Sequence, residues 1–394
     1  MLIDGVVKNY AWGSRTAIPE MFGWPRTDAP IAEVWFGAHR MGSSPIRGGG
    51  TRLDQRIRAD PLATLGKQAA ERFASLPFLL KVISAAEPLS LQAHPSIQQA
   101  QAGFAREDSQ RIDRRAPNRS FRDRNHKPEL LCALSEFSAL CGLREPAVTL
   151  EFLETIPTAA LNPLRHKLIA DSSPRGLAHI LGWLLRQDDS TIAAQIAALV
   201  AACAKESSLP FAPERRVALQ LGRCHAQDPA VLIALLLNYV TLQPGEAIFL
   251  GAGNLHAYLH GSAVEVMANS DNVLRAGLTN KHVDVNTFLN IVDSAPLAVD
   301  VQRPTAVGGI VRYRSPVAEF SLQRIDVEGE IRIAGGPAIL LCIAGEADLQ
   351  NPHGPHRLRA GDGAWLDAAS GAAWLSGSAT IFRAGLGEDL ARSA

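Results

Sequence analysis

The chain has 394 residues, of which 47% are hydrophobic and 20% charged, and its formal net charge is zero. That length leaves room for two or three cores, and the composition is that of a globular protein, which excludes a disordered chain. Without a net positive field a dedicated nucleic-acid binder is disfavoured, although a local phosphate pocket needs only a few cations.

From residue 1 to about 146 the segments are short, in places β-branched, and punctuated by Gly and Pro. PFLLKVIS and PLSLQAHP read as strands separated by a turn. Lys81 stands among apolar residues of the first. A charge on a barrel-facing strand is costly unless paired or liganded, so Lys81 is either a pocket residue or an outward-facing one. Between about 147 and 240 the texture changes: STIAAQIAALVAACAK and DPAVLIALLLNYV are Ala/Leu-rich with helical spacing. The second opens on Asp228-Pro229, an N-cap followed by proline at the first helical position. After Gln243 short Gly-bounded strands return and run to the end. Strands and helices do not alternate, which argues against a doubly wound parallel sheet. The expected fold is mainly β with a helical insertion.

An internal repeat supports this. PGEAIFLGAGNLHAYL (Pro244–Leu259) aligns without gaps to AGDGAWLDAASGAAWL (Ala360–Leu375), at an offset of 116 residues. Gly245 matches Gly361, Phe249 matches Trp365 and Tyr258 matches Trp374. Turn, strand, Gly/Ala-rich loop, strand is the hairpin unit of a jelly roll. His256 aligns with Ala372, so a metal held by the first copy would lack that ligand in the second.

Four residues form a candidate metal set: Gln92 and His94 in SLQAHP, Glu129 in NHKPEL, and His256 in NLHAYL. Residues two apart on a strand share a face, so Gln92 and His94 can address one ion. Imidazole and carboxylate donors suit zinc, and an amide oxygen is an acceptable weaker ligand. A set without thiolate fits a catalytic site better than a closed structural one. Spacing alone leaves the plainer reading open, that these are core or turn residues. The five cysteines (Cys132, Cys141, Cys203, Cys224 and Cys342) form no CxxC pair, which points to free thiols in a reducing compartment. No signal peptide is read at MLIDGVVKNYAWGS, and the longest apolar stretch, Val231 to Leu237, is too short to span a bilayer. A soluble, cytoplasmic protein without a membrane partner is expected.

Six segments decide between the readings: KNYAWGS, EVWFGAHRMGSSPI, PFLLKVISAAEPLSLQAHPS, NHKPELLCALSEFSALCGLRE, PGEAIFLGAGNLHAYL and VEVMANSDNVLRAGLTNKHVDV. In this order, between residues 8 and 285, they resemble the hallmark stretches of the class I mannose-6-phosphate isomerases of the cupin superfamily. The resemblance implies one zinc ion per chain on Gln92, His94, Glu129 and His256, and an aldose–ketose isomerisation through a cis-enediol. It implies two cupin-like jelly-roll domains: a catalytic one (1–146 with 241–310) interrupted by helices (147–240), and a C-terminal one without metal ligands (311–394).

The same resemblance gives roles to further residues. Arg275 matches the family's active-site arginine, and an always-charged planar donor suits an enediolate. His126, Lys127, Glu265 and Asp271 are the proton-transfer candidates, and Lys81, Ser90, Tyr258 and Lys281 the substrate-binding ones. His260, His282, His353 and His356 read as structural or surface residues. The expected partner is a small sugar phosphate, with no nucleic acid, and the chain is expected to act as a monomer. Two departures from the family pattern, Leu255 and Asn280 where proline is usual, bear on loop conformation and leave the ligands intact. A non-enzymatic sugar-binding jelly roll and a cupin oxygenase are the rival readings. Neither requires the metal set together with Lys81, Lys127 and Arg275.

Overall fold

The computed structural model describes residues 1–204, 210–352 and 354–387; His353 and positions 388–394 of the C-terminal segment lie outside the described residues. In chain order the strands begin with β1 (Leu2–Ile3), β2 (Val6–Lys8), β3 (Glu33–His39), β4 (Gly42–Ser43), β5 (Phe78–Ala85) and β6 (Leu91–Ala93). They continue with β7 (Glu129–Ala133), β8 (Phe137–Leu143), β9 (Leu237–Leu242), β10 (Ala247–Leu250), β11 (His256–Ala268) and β12 (Leu274–Gly277). The last are β13 (Ile310–Tyr313), β14 (Ser321–Ile333), β15 (Ala338–Asn351), β16 (Gly354–Arg359), β17 (Gly363–Leu366) and β18 (Ala373–Gly385).

They form two antiparallel sheets. One runs β10-β7-β11-β5-β3-β2, with β4, β6, β8, β9 and β12 attached; the other runs β1-β17-β15-β18-β14-β13, with β16 on β15. The spatial order β10-β7-β11-β5-β3 reappears as β17-β15-β18-β14-β13, and the corresponding strands follow the same chain order. The sixteen-residue repeat therefore belongs to a duplicated topology: Gly245 and Gly361 open equivalent strands with φ of 88° and 90°, a left-handed turn that glycine adopts without a Cβ penalty. β1 crosses over, since Leu2 pairs with Ala364 of the second sheet.

Each sheet encloses apolar residues of its own, Ile83, Leu131, Phe137 and Ala263 in the first and Ile325, Leu340, Leu358 and Leu375 in the second. A third core joins them, with Phe78, Leu80 and Val82 packed in one cluster with Ile339, Leu341 and Phe382. Strand β5 is thus covered on both faces, and all eight of its residues are buried, which is why its sequence is mostly apolar, broken only at Lys81 and Ser84, and not alternating. Period two then places Lys81 with Ile83, on the face opposite Leu80 and Val82, towards the interior of the first sheet. The strand's own composition did not settle that orientation; the second sheet behind it does.

Helices from Pro146 to Ala234 pack on the other side, sharing a core with Leu91, Leu140, Leu255 and Leu274. Helix Asp189–Cys203 is the one expected from its spacing, capped by Asp188 accepting from the Thr191 N–H. The segment after Asp228 differs from expectation. Its helix covers only Ala230–Ala234, and from Leu237 the chain is already β9, paired with β8. An apolar run buried on all sides carries no period by which to tell helix from strand. The first 146 residues also hold more helix than their texture suggests: Leu53–Ala59, Pro61–Leu65 and Lys67–Phe73 are too short to show a period. Helix Ile97–Ser109 had a readable signal, the capping box of Ser96 with Gln99. No helix among the described residues is long and apolar enough to cross a membrane.

Candidate metal centre and cavity

Three strand ends bring the first-sheet ligands together. His94 follows β6, Glu129 begins β7 and His256 begins β11. Strand β6 lies between β11 and β12, so Gln92 is opposite His256 on one side and Arg275 on the other. Directly opposed residues of antiparallel strands present their side chains to one face.

The imidazoles are oriented from behind. His94 Nδ1 lies 2.8 Å from the Asn272 carbonyl oxygen and His256 Nδ1 lies 2.9 Å from that of Asn254. A carbonyl only accepts, so each Nδ1 carries the hydrogen and each Nε2 presents a lone pair. Those lone pairs point at Glu129: His94 Nε2 is 3.3 Å from Oε1 and His256 Nε2 is 3.5 Å from Oε2. Neither Nε2 has a hydrogen to donate, and both atoms are buried without a hydrogen-bond partner. Two lone pairs facing a carboxylate repel unless a cation lies between them. The three side chains offer ligand atoms within 4.8 Å of one another, the one such His/Cys/Asp/Glu group among the described residues. Burial and the Lys127 charge push the His94 imidazolium down to about 4, so the ring is neutral and ligand-competent at physiological pH.

A charged network extends from Glu129. Lys127 Nζ lies 2.9 Å from its Oε1, and the Tyr258 hydroxyl lies 3.2 Å from its Oε2 and 3.1 Å from Glu265 Oε1. Glu265 in turn holds Lys81 at 2.7 Å, across a register that places the two residues opposite each other on β11 and β5. Burial opposes charge on Glu129, yet the Lys127 ammonium beside it holds its carboxyl well below the usual range. Burial alone would discharge Lys81, but Glu265, Glu33 and Glu129 overcome it and keep the ammonium protonated.

Above this floor opens a cavity of about 1430 Å³. Gln92, Ser90, Lys81 and Lys127 line it, as do Arg275, which is paired with Gln92 across β6 and β12, Lys281 and Asp271. Neither Arg275 nor Lys281 forms an ion pair within 4 Å among the described residues, although Glu33 favours the Lys281 charge from a distance. Burial and the neighbouring Arg122 disfavour the Arg275 charge, and burial with Arg275 and Arg122 disfavours that of Lys281. Three cations repelling one another around open space form a place for an anion.

Other sequence candidates fall elsewhere. Tyr258 and Glu265 do not line the cavity; they are buried beneath it, joined to the network just described. His126 points away from the cavity that Lys127 lines, its Nε2 lying 2.9 Å from Glu319. Asp271 reaches the wall but is committed, 2.7 Å from Arg40 and 3.3 Å from His39, and those partners hold its carboxyl far below the usual range against the effect of burial. Arg122, Glu33 and His39 line the cavity without having been singled out from sequence. Asn254 and Asn272 were also missed. They act through backbone carbonyls, for which side-chain identity carries no signal.

A duplicated β-sheet topology, with one copy carrying a mixed imidazole–carboxylate centre beneath a cationic cavity, defines a metal-dependent enzyme of the jelly-roll class. Residues 1–146 match the family model "Phosphomannose isomerase type I, catalytic domain". The chain is 35% identical over 385 residues to mannose-6-phosphate isomerase of Escherichia coli strain K12, covering 96% of this chain and 97% of that one. It is 32% identical over 364 residues to that of Rattus norvegicus, covering 83% and 82%. A variant of phosphomannose isomerase from Salmonella typhimurium superposes with a TM-score of 0.90 at 35% identity, over 98% of both chains. A mannose 6-phosphate isomerase crystallised with zinc and yttrium superposes at 0.89, with 36% identity and 98% coverage of each chain. The chain belongs to the type I mannose-6-phosphate isomerase family.

Proposed function

We propose that this chain is a zinc-dependent aldose–ketose isomerase interconverting mannose 6-phosphate and fructose 6-phosphate. The observation that carries this reading is the pair of buried, unpartnered Nε2 atoms converging on Glu129 at the floor of a cation-lined cavity. His94, Glu129 and His256 would hold the zinc, with the Gln92 amide oxygen as fourth donor from the cavity side. When bound there, zinc would supply Lewis-acid stabilisation of the negative charge that develops on substrate oxygen.

The chain's own side chains do the rest. Arg275, Lys281 and Arg122 anchor the phosphate, which compensates their mutual repulsion. Lys127 transfers the proton between C1 and C2. Of the four proton-transfer candidates it alone both lines the cavity and touches a metal ligand. Lys81, on the cavity wall, pairs with Glu265 beneath it, and Glu265 keeps Tyr258 against Glu129 and so orients the carboxylate. Ser90 reaches Gln92 Oε1 at 3.3 Å and steadies that amide beside the substrate.

The division of labour follows the ligands: residues 1–146 with 241–310 form the catalytic unit, 147–240 the helical insertion, whose last residues from Leu237 already belong to β9 of the catalytic sheet, and the segment from 311 a β unit whose Ala372 replaces the ligand histidine. All five cysteines are free thiols, in keeping with the reducing cytoplasm, and the chain acts as a monomer on a small sugar phosphate. Lys127→Met and Arg275→Ala are each expected to retain zinc by elemental analysis. Each should lose on the order of 10²–10³ in kcat/KM in a coupled isomerase assay, the usual cost of one positioned catalytic group. Normal turnover in either variant would refute its assignment.

A further inference from the structure

Two of the three anchor cations flank a chain reversal. Arg275 is on β12, which ends at Gly277, and Lys281 follows four residues later. Between them the backbone takes left-handed angles twice, φ 145° at Gly277 and φ 54° at Leu278. A branched aliphatic residue such as Leu278 pays a steric cost there, so something outside the turn must hold it. That contact comes from the helical insertion, fifty residues away in sequence: Asp228 Oδ2 accepts from the Leu278 N–H at 2.6 Å. Its other oxygen, Oδ1, accepts from the Ala230 N–H at 2.9 Å and so fixes the carboxylate itself. The fit leaves no slack. A Cβ on Gly277 would come within 2.2 Å of Asp228 Oδ1.

The segment beyond the turn is thin. Thr279 and Asn280 line the substrate cavity and also a second cavity of about 600 Å³, on whose wall Asp228 lies. With space on both sides, packing does little to hold these residues, and the position of Lys281 depends on where the turn before it is pinned.

We propose that Asp228 is a positioning residue for substrate binding: through the Leu278 N–H it fixes the reversal that sets Lys281 beside Arg275, and thereby sets the affinity for the phosphate group. This rests on reading the Arg275–Lys281–Arg122 cluster as the phosphate anchor. It gives the helical insertion a part in substrate affinity, although it contributes no side chain that touches the substrate.

The test compares Asp228→Asn with Lys281→Ala in the full-length zinc-loaded enzyme, using inorganic phosphate as the competing anion. In Asp228→Asn the amide oxygen keeps the Ala230 N–H, while the amide nitrogen meets the Leu278 N–H donor to donor. Loss of one such bond predicts about a five-fold rise in both KM and the phosphate Ki. kcat should stay within about two-fold and zinc content should not change, because neither is routed through the turn. Asp228→Ser, which can still cap Ala230 but is too short for Leu278, should show the same split. If Lys281→Ala left Ki unchanged, the anchor reading would fall and the proposal with it. If Lys281→Ala weakened phosphate but both Asp228 variants bound it normally, the proposal alone would be overturned. A lower melting temperature with KM and Ki unchanged would make Asp228 a structural cap only, which also overturns it.

Discussion

His256→Ala is expected to leave the enzyme without bound zinc and to lower turnover by at least on the order of 10²–10³. The ring is buried, held from behind by the Asn254 carbonyl and packed beside the His94 and Tyr258 rings, and its Nε2 faces Glu129. Its removal takes away one of the three ligands that converge within 4.8 Å. It also leaves Glu129 facing Lys127, the Tyr258 hydroxyl and the neutral His94 ring. Far-ultraviolet circular dichroism should be unchanged, because the substitution leaves Leu255, Ala257 and Tyr258 in the cores on either side of the strand. A variant that bound zinc and turned over normally would remove His256 from the centre.

Lys81→Met carries the largest expected effect on stability. The Lys81–Glu265 pair is almost wholly buried, with side-chain exposures of 7% and 2%. Removing one member leaves an uncompensated carboxylate in the interior, which costs roughly 3–5 kcal/mol. Chemical denaturation should show that loss as a lower midpoint with an unchanged slope. A second substitution, Glu265→Leu, should recover most of it by removing the stranded charge, as replacement of both members of a buried pair by apolar residues usually does. The double variant should still have low activity, because Tyr258 then loses its second carboxylate partner. No loss of stability in Lys81→Met would mean that solvent reaches the pair.

The parts of this account legible in the sequence are those that depend on side chains in recognisable order. The ligand set His94, Glu129 and His256 was readable, and the repeat was readable from Gly245 and Gly361 because only glycine turns left-handed there without strain. Features settled by partners distant in sequence were not readable. Whether Lys81 faced inward depended on the second sheet covering the other side of β5. His126 and Lys127 are neighbours in sequence, yet Glu319 draws one away while Glu129 draws the other to the cavity. The all-apolar stretch after Asp228 hid a change from helix to strand. The carbonyls behind both histidines are invisible to any reading of residue types.

The central claim is that isomerisation depends on one zinc ion held at His94, Glu129 and His256. Elemental analysis of the purified chain, paired with a coupled assay of mannose 6-phosphate conversion to fructose 6-phosphate, tests it most directly. One zinc per chain is expected, with activity lost on chelation and restored by zinc alone. Full turnover in protein shown to be metal-free would contradict the account.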